Sequence, residues 1–205
     1  LGYTPLWALR VTYVGELGWD LLIPTEFGAT LYDQIKEAGS DLGFMPTGVG
    51  ALSTMRMEKS YRDMGHDIDS TDTPLEAGLG FAVAWDKPGG FVGREALLKQ
   101  KEAGPLKKRL VNVLLQSPEH DLIGAEPIFM DGVPLGSLRV GAFGYTLGAA
   151  CGIADIEREE GFTAADINAG SFEVDIAGTR VPVKASLKPL FDAERLMRAS
   201  STPCA

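Results

Sequence analysis

The residues with the most specific chemistry lie close together, in Tyr13-Val14-Gly15-Glu16-Leu17-Gly18-Trp19-Asp20. Asp20 opens an otherwise apolar run, Leu21-Leu22-Ile23, that Pro24 stops. A carboxylate in such a run is costly to bury unless donors face it. An aromatic ring at Tyr13 and a carboxylate at Asp20, near one turn, suit a flat heterocycle with an N–H edge. The competing reading puts Asp20 on the exposed face of an edge strand, and periodicity alone favours it.

Other polar groups are less specific. His66, Asp67 and Asp69 cluster in Gly65-His66-Asp67-Ile68-Asp69-Ser70, but the chain has 2 His, and a zinc site wants more nitrogen or sulfur ligands. A loop held by Asx-type turns is expected there, and no metal ligand set is nominated. His120 sits between Glu119 and Asp121 in an expected surface loop. Gly-x-Ser-x-Gly is absent, so no nucleophile elbow is present. Gly48-Val49-Gly50 begins like a dinucleotide loop, but Ser53 stands where the third glycine belongs and no clear strand precedes it.

The elements that must position Tyr13 and Asp20 follow from pattern. Leu9, Val11 and Tyr13 alternate with Arg10, Thr12 and Val14, which predicts a strand, a turn at Gly15 to Gly18 and a second strand. Phe27, Leu31 and Ile35 predict a helix from Thr25 or Glu26 to Gly39. A second helix is expected from Thr47 through Met57, its Met residues filling core, and a third from Gly93 to Ala103. Phe81-Ala82-Val83-Ala84-Trp85 reads as a strand. After Gly104-Pro105, the expected boundary, short strands dominate. Asp131-Gly132 and Ala177-Gly178 each sit between alternating runs and predict two hairpins. The expected fold class is therefore α+β: an α+β segment over residues 1–104, a small β-barrel over 105–198 and a flexible tail over 199–205.

Composition excludes some roles. A net charge of -9 and a pI near 4.7 argue against nucleic acid as a partner. No apolar run reaches bilayer length, so no membrane span is expected. Cys151 and Cys204 make no disulfide framework, which suggests a reducing, cytoplasmic setting. The chain starts at Leu1 with no initiator Met and no signal-peptide pattern, and a piece of a longer polypeptide is expected.

Four ordered motifs sharpen the functional reading. They are the Tyr13 to Asp20 segment, Met55-Arg56-Met57-Glu58-Lys59-Ser60-Tyr61, Thr73-Pro74-Leu75-Glu76-Ala77-Gly78-Leu79-Gly80-Phe81 and Phe91-Val92-Gly93-Arg94-Glu95-Ala96-Leu97. In order and spacing they resemble the glycine-cleavage T-protein (aminomethyltransferase) family. The nearer branch is the carboxy-terminal, tetrahydrofolate-binding part of dimethylglycine and sarcosine dehydrogenases. The resemblance implies tetrahydrofolate as cofactor, with Tyr13, Asp20, Leu21, Leu22 and Phe81 as contact residues. A carboxylate at position 20 would accept the pterin 2-amino group and ring N–H together. The family usually has Glu at position 20, often Tyr at position 81, and in the glycine-cleavage enzymes Arg at position 52, here Leu52.

The resemblance also implies capture of the carbon of an oxidised N-methyl amine as methylenetetrahydrofolate. It places the catalytic Asp, and a domain holding FAD, upstream of this chain, so no catalytic residue is assigned here and the piece alone is expected to be inactive. A folate-dependent demethylase of the same family and a non-catalytic folate-binding or purely structural module remain as alternatives.

Overall fold

A computed structural model describes residues 5–191. The chain forms two compact units, divided between Ser53 and Thr54.

The first unit holds a two-stranded antiparallel ribbon, β1 (Trp7–Leu9) and β2 (Asp20–Leu22), with Leu9 opposite Asp20 and Trp7 opposite Leu22. The expected strand through Val14 is not formed. The Val11 amide donates to the Leu9 carbonyl at 3.0 Å, a tight turn that ends β1, and residues 10–19 make a bent loop instead. A 3-10 turn, Thr25–Phe27, follows Pro24 and leads into α1 (Gly28–Ala38), which buries Leu31. Gly39 ends α1, as expected. A Cβ there would stand 2.6 Å from the Phe44 Cβ, so the chain can fold back only over a glycine. A further 3-10 turn, Ser40–Leu42, precedes α2 (Val49–Glu58), whose residues fall on both sides of the division.

In the second unit the last turns of α2 bury Thr54, Arg56, Met57 and Glu58. Both terminal nitrogens of Arg56 bond the Asp67 carboxylate, and both side chains are buried. The 65–70 loop is thus built around a buried ion pair, while Asp69 makes the expected Asx-type bonds to Thr71. Glu58 Oε1 accepts from the Thr146 and Leu147 amides at 2.7 and 3.3 Å.

The expected strand at residues 81–85 is a correction. Gly80–Ala82 form a 3-10 turn, and the Trp85 indole N–H donates back to the Gly80 carbonyl at 3.2 Å. That local bond curls the segment where a strand would need an extended neighbour. The helix expected at residues 93–103 is α3 (Arg94–Glu102).

Six strands then close a barrel in the order β3-β6-β5-β4-β7-β8, all antiparallel. They are β3 (Leu106–Leu115), β4 (Pro127–Met130), β5 (Val133–Gly144), β6 (Ala149–Phe162), β7 (Phe172–Ile176) and β8 (Thr179–Ser186). Val111, Val113 and Leu115, Phe172 and Val174, and Val181 and Val183 point inward at alternate positions. Burying each such side chain stabilises by about 1.5–3 kcal/mol. Closure also leaves no open strand edge. The β4–β5 hairpin turns at Asp131 and Gly132, with φ of 52° and 80°, and the β7–β8 hairpin at Ala177 and Gly178, with φ of 50° and 88°. Left-handed φ at both turn positions matches the strand twist, which is why these dipeptides signal hairpins. A short helix, α4 (Ala164–Ala169), is started by a Thr163–Asp166 capping box.

Within the second unit, residues on the two sides of Gly104-Pro105 pack together. Ala77, with Ile68 and Leu79, packs against Leu110, Val140 and Ile153 on the outer barrel wall. Lys108 and Arg139 also hold Asp72, at 2.6 and 3.4 Å, and Arg139 bonds Asp155 at 2.6 Å. Residues 68–79 therefore belong to the unit that contains the barrel. The 199–205 tail lies outside the described residues.

Candidate functional site

In the first unit the 10–19 loop, the start of β2 and α2 enclose a hollow of about 410 Å³, lined by Val11, Thr12, Tyr13, Val14, Gly18, Trp19, Asp20 and Leu52. The loop folds tightly at Gly18: a Cβ there would lie 2.7 Å from the Val11 carbonyl oxygen and 3.4 Å from the Thr12 Cβ. Any larger residue at this position would push the two limbs of the loop apart. Glycine is thus what brings Thr12 and Tyr13 to the same hollow as Asp20.

Asp20 is the charged residue of the lining, and its carboxylate is exposed. Ionised, it can only accept hydrogen bonds. Tyr13 is 37% exposed, and the Trp19 ring beside Asp20 carries the Arg10 guanidinium 5.5 Å from its centroid. Leu52 adds an apolar wall from α2. The Thr12 hydroxyl oxygen is shut away from water and has no hydrogen-bond partner. The hollow offers ring faces and a carboxylate acceptor, and its size falls in the range of about 300–1,000 Å³ usual for small-molecule sites.

The residues named from sequence fall in different places. Tyr13 and Asp20 share this hollow. Leu21 stands opposite Ala8 and is half-buried. Leu22 lines a separate hollow with Pro5, Leu6, Trp7, Ile23 and Pro24. Phe81 belongs to the second unit and is 87% exposed. Thr12 and Trp19 were not named as contacts from sequence, although each directly neighbours a named residue; a strand reading sends Thr12 to the face opposite Tyr13, and the loop brings both to one hollow.

The second unit has its own groove of about 570 Å³, walled by Pro74, Ala82, Val83, Phe91, Val92 and Leu97 among others. Its one carboxylate, Asp72, is already engaged by Lys108 and Arg139. Among the described residues no group of His, Cys, Asp and Glu is arranged to hold a metal ion, and no helix is long and apolar enough to cross a membrane.

Comparison with known proteins follows the same order along the chain. The GCVT N-terminal domain matches residues 1–87, and the glycine cleavage T-protein C-terminal barrel domain matches residues 108–192. The chain belongs to the glycine cleavage T-protein family. It is 41% identical to 4-methylaminobutanoate oxidase (formaldehyde-forming) of Paenarthrobacter nicotinovorans, over 93% of this chain and 22% of that protein. It is 33% identical to mitochondrial dimethylglycine dehydrogenase of Homo sapiens, over 91% of this chain and 21% of that one. The T-family chain thus spans about a fifth of the length of these relatives. Its fold matches glycine cleavage system aminomethyltransferase T from Bartonella henselae with a TM-score of 0.77 at 20% identity, over 92% of this chain and 50% of that one. The α+β class and the terminal barrel are those of this family.

Proposed function

We propose that this chain is the tetrahydrofolate-binding, one-carbon-transfer part of a larger protein that oxidises an N-methyl amine. The observation that carries the reading is the meeting of Tyr13 and Asp20 at one hollow with an apolar wall at Leu52. A reduced pterin presents a ring N–H and an amino group side by side. Asp20 is an acceptor for that edge, and the Tyr13 ring offers a face. The residues present therefore fit the group.

Bound tetrahydrofolate supplies the nitrogen that takes up the one-carbon unit. This chain's part is to orient the pterin: Asp20 fixes its donor edge and Leu52 and Trp19 keep water from the ring. Leu52 brings no charge, so Asp20 is the one charged side chain of the lining and meets a donor-rich edge directly. The reading places the reaction's catalytic carboxylate and its flavin in other parts of the longer protein, and leaves this piece inactive alone. A reducing, cytoplasmic setting belongs to the same proposal and suits the free thiol of Cys151.

A second reading is favoured by the name of the Paenarthrobacter relative, which is formaldehyde-forming. There the oxidised carbon leaves as formaldehyde and the hollow captures none of it. One experiment separates the two. The full natural polypeptide that carries this chain is given an N-methylated amine with and without tetrahydrofolate, and free formaldehyde is measured. The proposed function predicts that folate lowers the free formaldehyde by more than the uncatalysed condensation of formaldehyde with tetrahydrofolate does, and that Asp20→Ala leaves only the uncatalysed decrease. A wild-type decrease no larger than the uncatalysed one contradicts it.

A further inference from the structure

We propose that the ribbon face carrying Trp7, Leu9, Asp20 and Leu22 is a docking surface, covered in the natural protein by an apolar segment from another part of the longer polypeptide. The inference rests on the longer-polypeptide half of the reading above and does not depend on folate.

The register places these residues together. Trp7 stands directly opposite Leu22, and Leu9 opposite Asp20. Residues opposite one another share a face, as do residues two apart along a strand, so all four project from one side of the ribbon. On that side Trp7 is 74%, Leu9 42% and Leu22 52% exposed. A contiguous exposed apolar face marks an interaction site. The rest of the unit gives it no cover: among its described residues Leu31 is the one buried hydrophobic side chain. A two-stranded ribbon is marginal in water on its own and becomes stable when a further strand or a packed element covers its apolar face. Among the described residues β1 and β2 pair only with each other, so each also leaves an edge open.

Length and charge name the occupant. The chain spans about a fifth of the dehydrogenase and oxidase relatives, and half of the aminomethyltransferase whose fold it matches. Those polypeptides carry ample further chain to supply a covering segment. A second copy is the poorer fit. Two-fold pairing through this face would bring the exposed Asp20 carboxylates of both copies to one interface, and the net charge of -9 on each copy adds repulsion. Because Asp20 shares the face, a covering segment also keeps water from one side of its carboxylate, which strengthens the hydrogen bonds that carboxylate accepts.

The test uses the full natural polypeptide that carries this chain. In the native, ligand-free state, hydroxyl radicals should oxidise Trp7 about tenfold more slowly than in the urea-unfolded polypeptide, as befits a buried side chain. With p-benzoylphenylalanine in place of Trp7, illumination should join position 7 to a peptide outside these 205 residues, in a product that runs as a monomer. Native oxidation of Trp7 at close to the unfolded rate would overturn the proposal. So would the absence of a cross-link, a cross-link that stays within these 205 residues, or a product of twice the mass, which would make the occupant a second copy. The folate reading is scored separately, by titrating the same wild-type polypeptide with 5-formyltetrahydrofolate. A protected Trp7 without folate binding leaves the docking surface standing and sinks the folate reading; folate binding with a freely oxidised Trp7 does the reverse.

Discussion

Arg56 and Asp67 face each other with both guanidinium termini on one carboxylate, at side-chain exposures of 2% and 0%. Asp67 also accepts the Asp63 amide at 2.9 Å, so the pair ties the end of α2 to the 63–67 turn. Removing one partner of a buried pair leaves the other charge uncompensated. Asp67→Ala should therefore cost about 3–5 kcal/mol of stability, while Arg56→Met with Asp67→Leu should recover much of it. Urea unfolding of the single and double variants measures this. A loss below about 1 kcal/mol for Asp67→Ala would show the pair to be weak.

Asp72 gives the second unit an acid limit. Burial pushes its carboxyl up, but the Lys108 hydrogen bond, the Asp69 amide and the Arg139 charge outweigh burial and hold it below its ordinary value. The folded value is depressed, so the stabilisation is present above the unfolded carboxylate range, about pH 4, and is lost as pH falls through the folded value. Lys108→Met removes the closest cation and should move the acid-unfolding midpoint to higher pH, read by circular dichroism. An unchanged midpoint would contradict the assignment.

Cys151 is buried on β6, and burial, with the Glu58 charge behind it, pushes its thiol up to about 12. It should stay unmodified when the native protein is alkylated at pH 8 and react fully in denaturant, with peptide mapping by mass spectrometry as the readout. Because the folded value is raised, stability should fall as pH climbs from about 9 toward 12, and Cys151→Ala should flatten that fall. Rapid native alkylation of Cys151 would contradict this.

Legibility in the sequence differed by element. The two hairpins could be read because Asp131-Gly132 and Ala177-Gly178 carry the left-handed φ that the turns require. The first three helices followed from apolar spacing and end residues. The 14-residue strand β6 was hidden. In its first half Ala154 faces the barrel core while Ile153 faces the outer cluster, so both sides are apolar, and in its second half the charged run Glu157 to Glu160 interrupts the alternation. In residues 9–14 the alternation was present and misleading, because the Leu9–Val11 turn breaks the strand and leaves Leu9, Val11 and Tyr13 exposed. The residue types at the hollow were legible at Tyr13 and Asp20; that Thr12 also lines it depends on the loop's path, which a strand pattern cannot give.

The central claim is that Asp20 holds the donor edge of a pterin, and isothermal titration of a reduced folate into the full natural polypeptide tests it most directly. Each charge-assisted bond removed should cost about 1.5–3 kcal/mol, so Asp20→Ala should weaken binding at least tenfold. Asp20→Asn should be nearly as weak, because its amide turns a donor toward donors. Asp20→Glu, the usual family residue, should bind as well as wild type or better. Equal affinity for wild type, Asp20→Ala and Asp20→Asn would contradict the account and leave Asp20 an exposed strand residue.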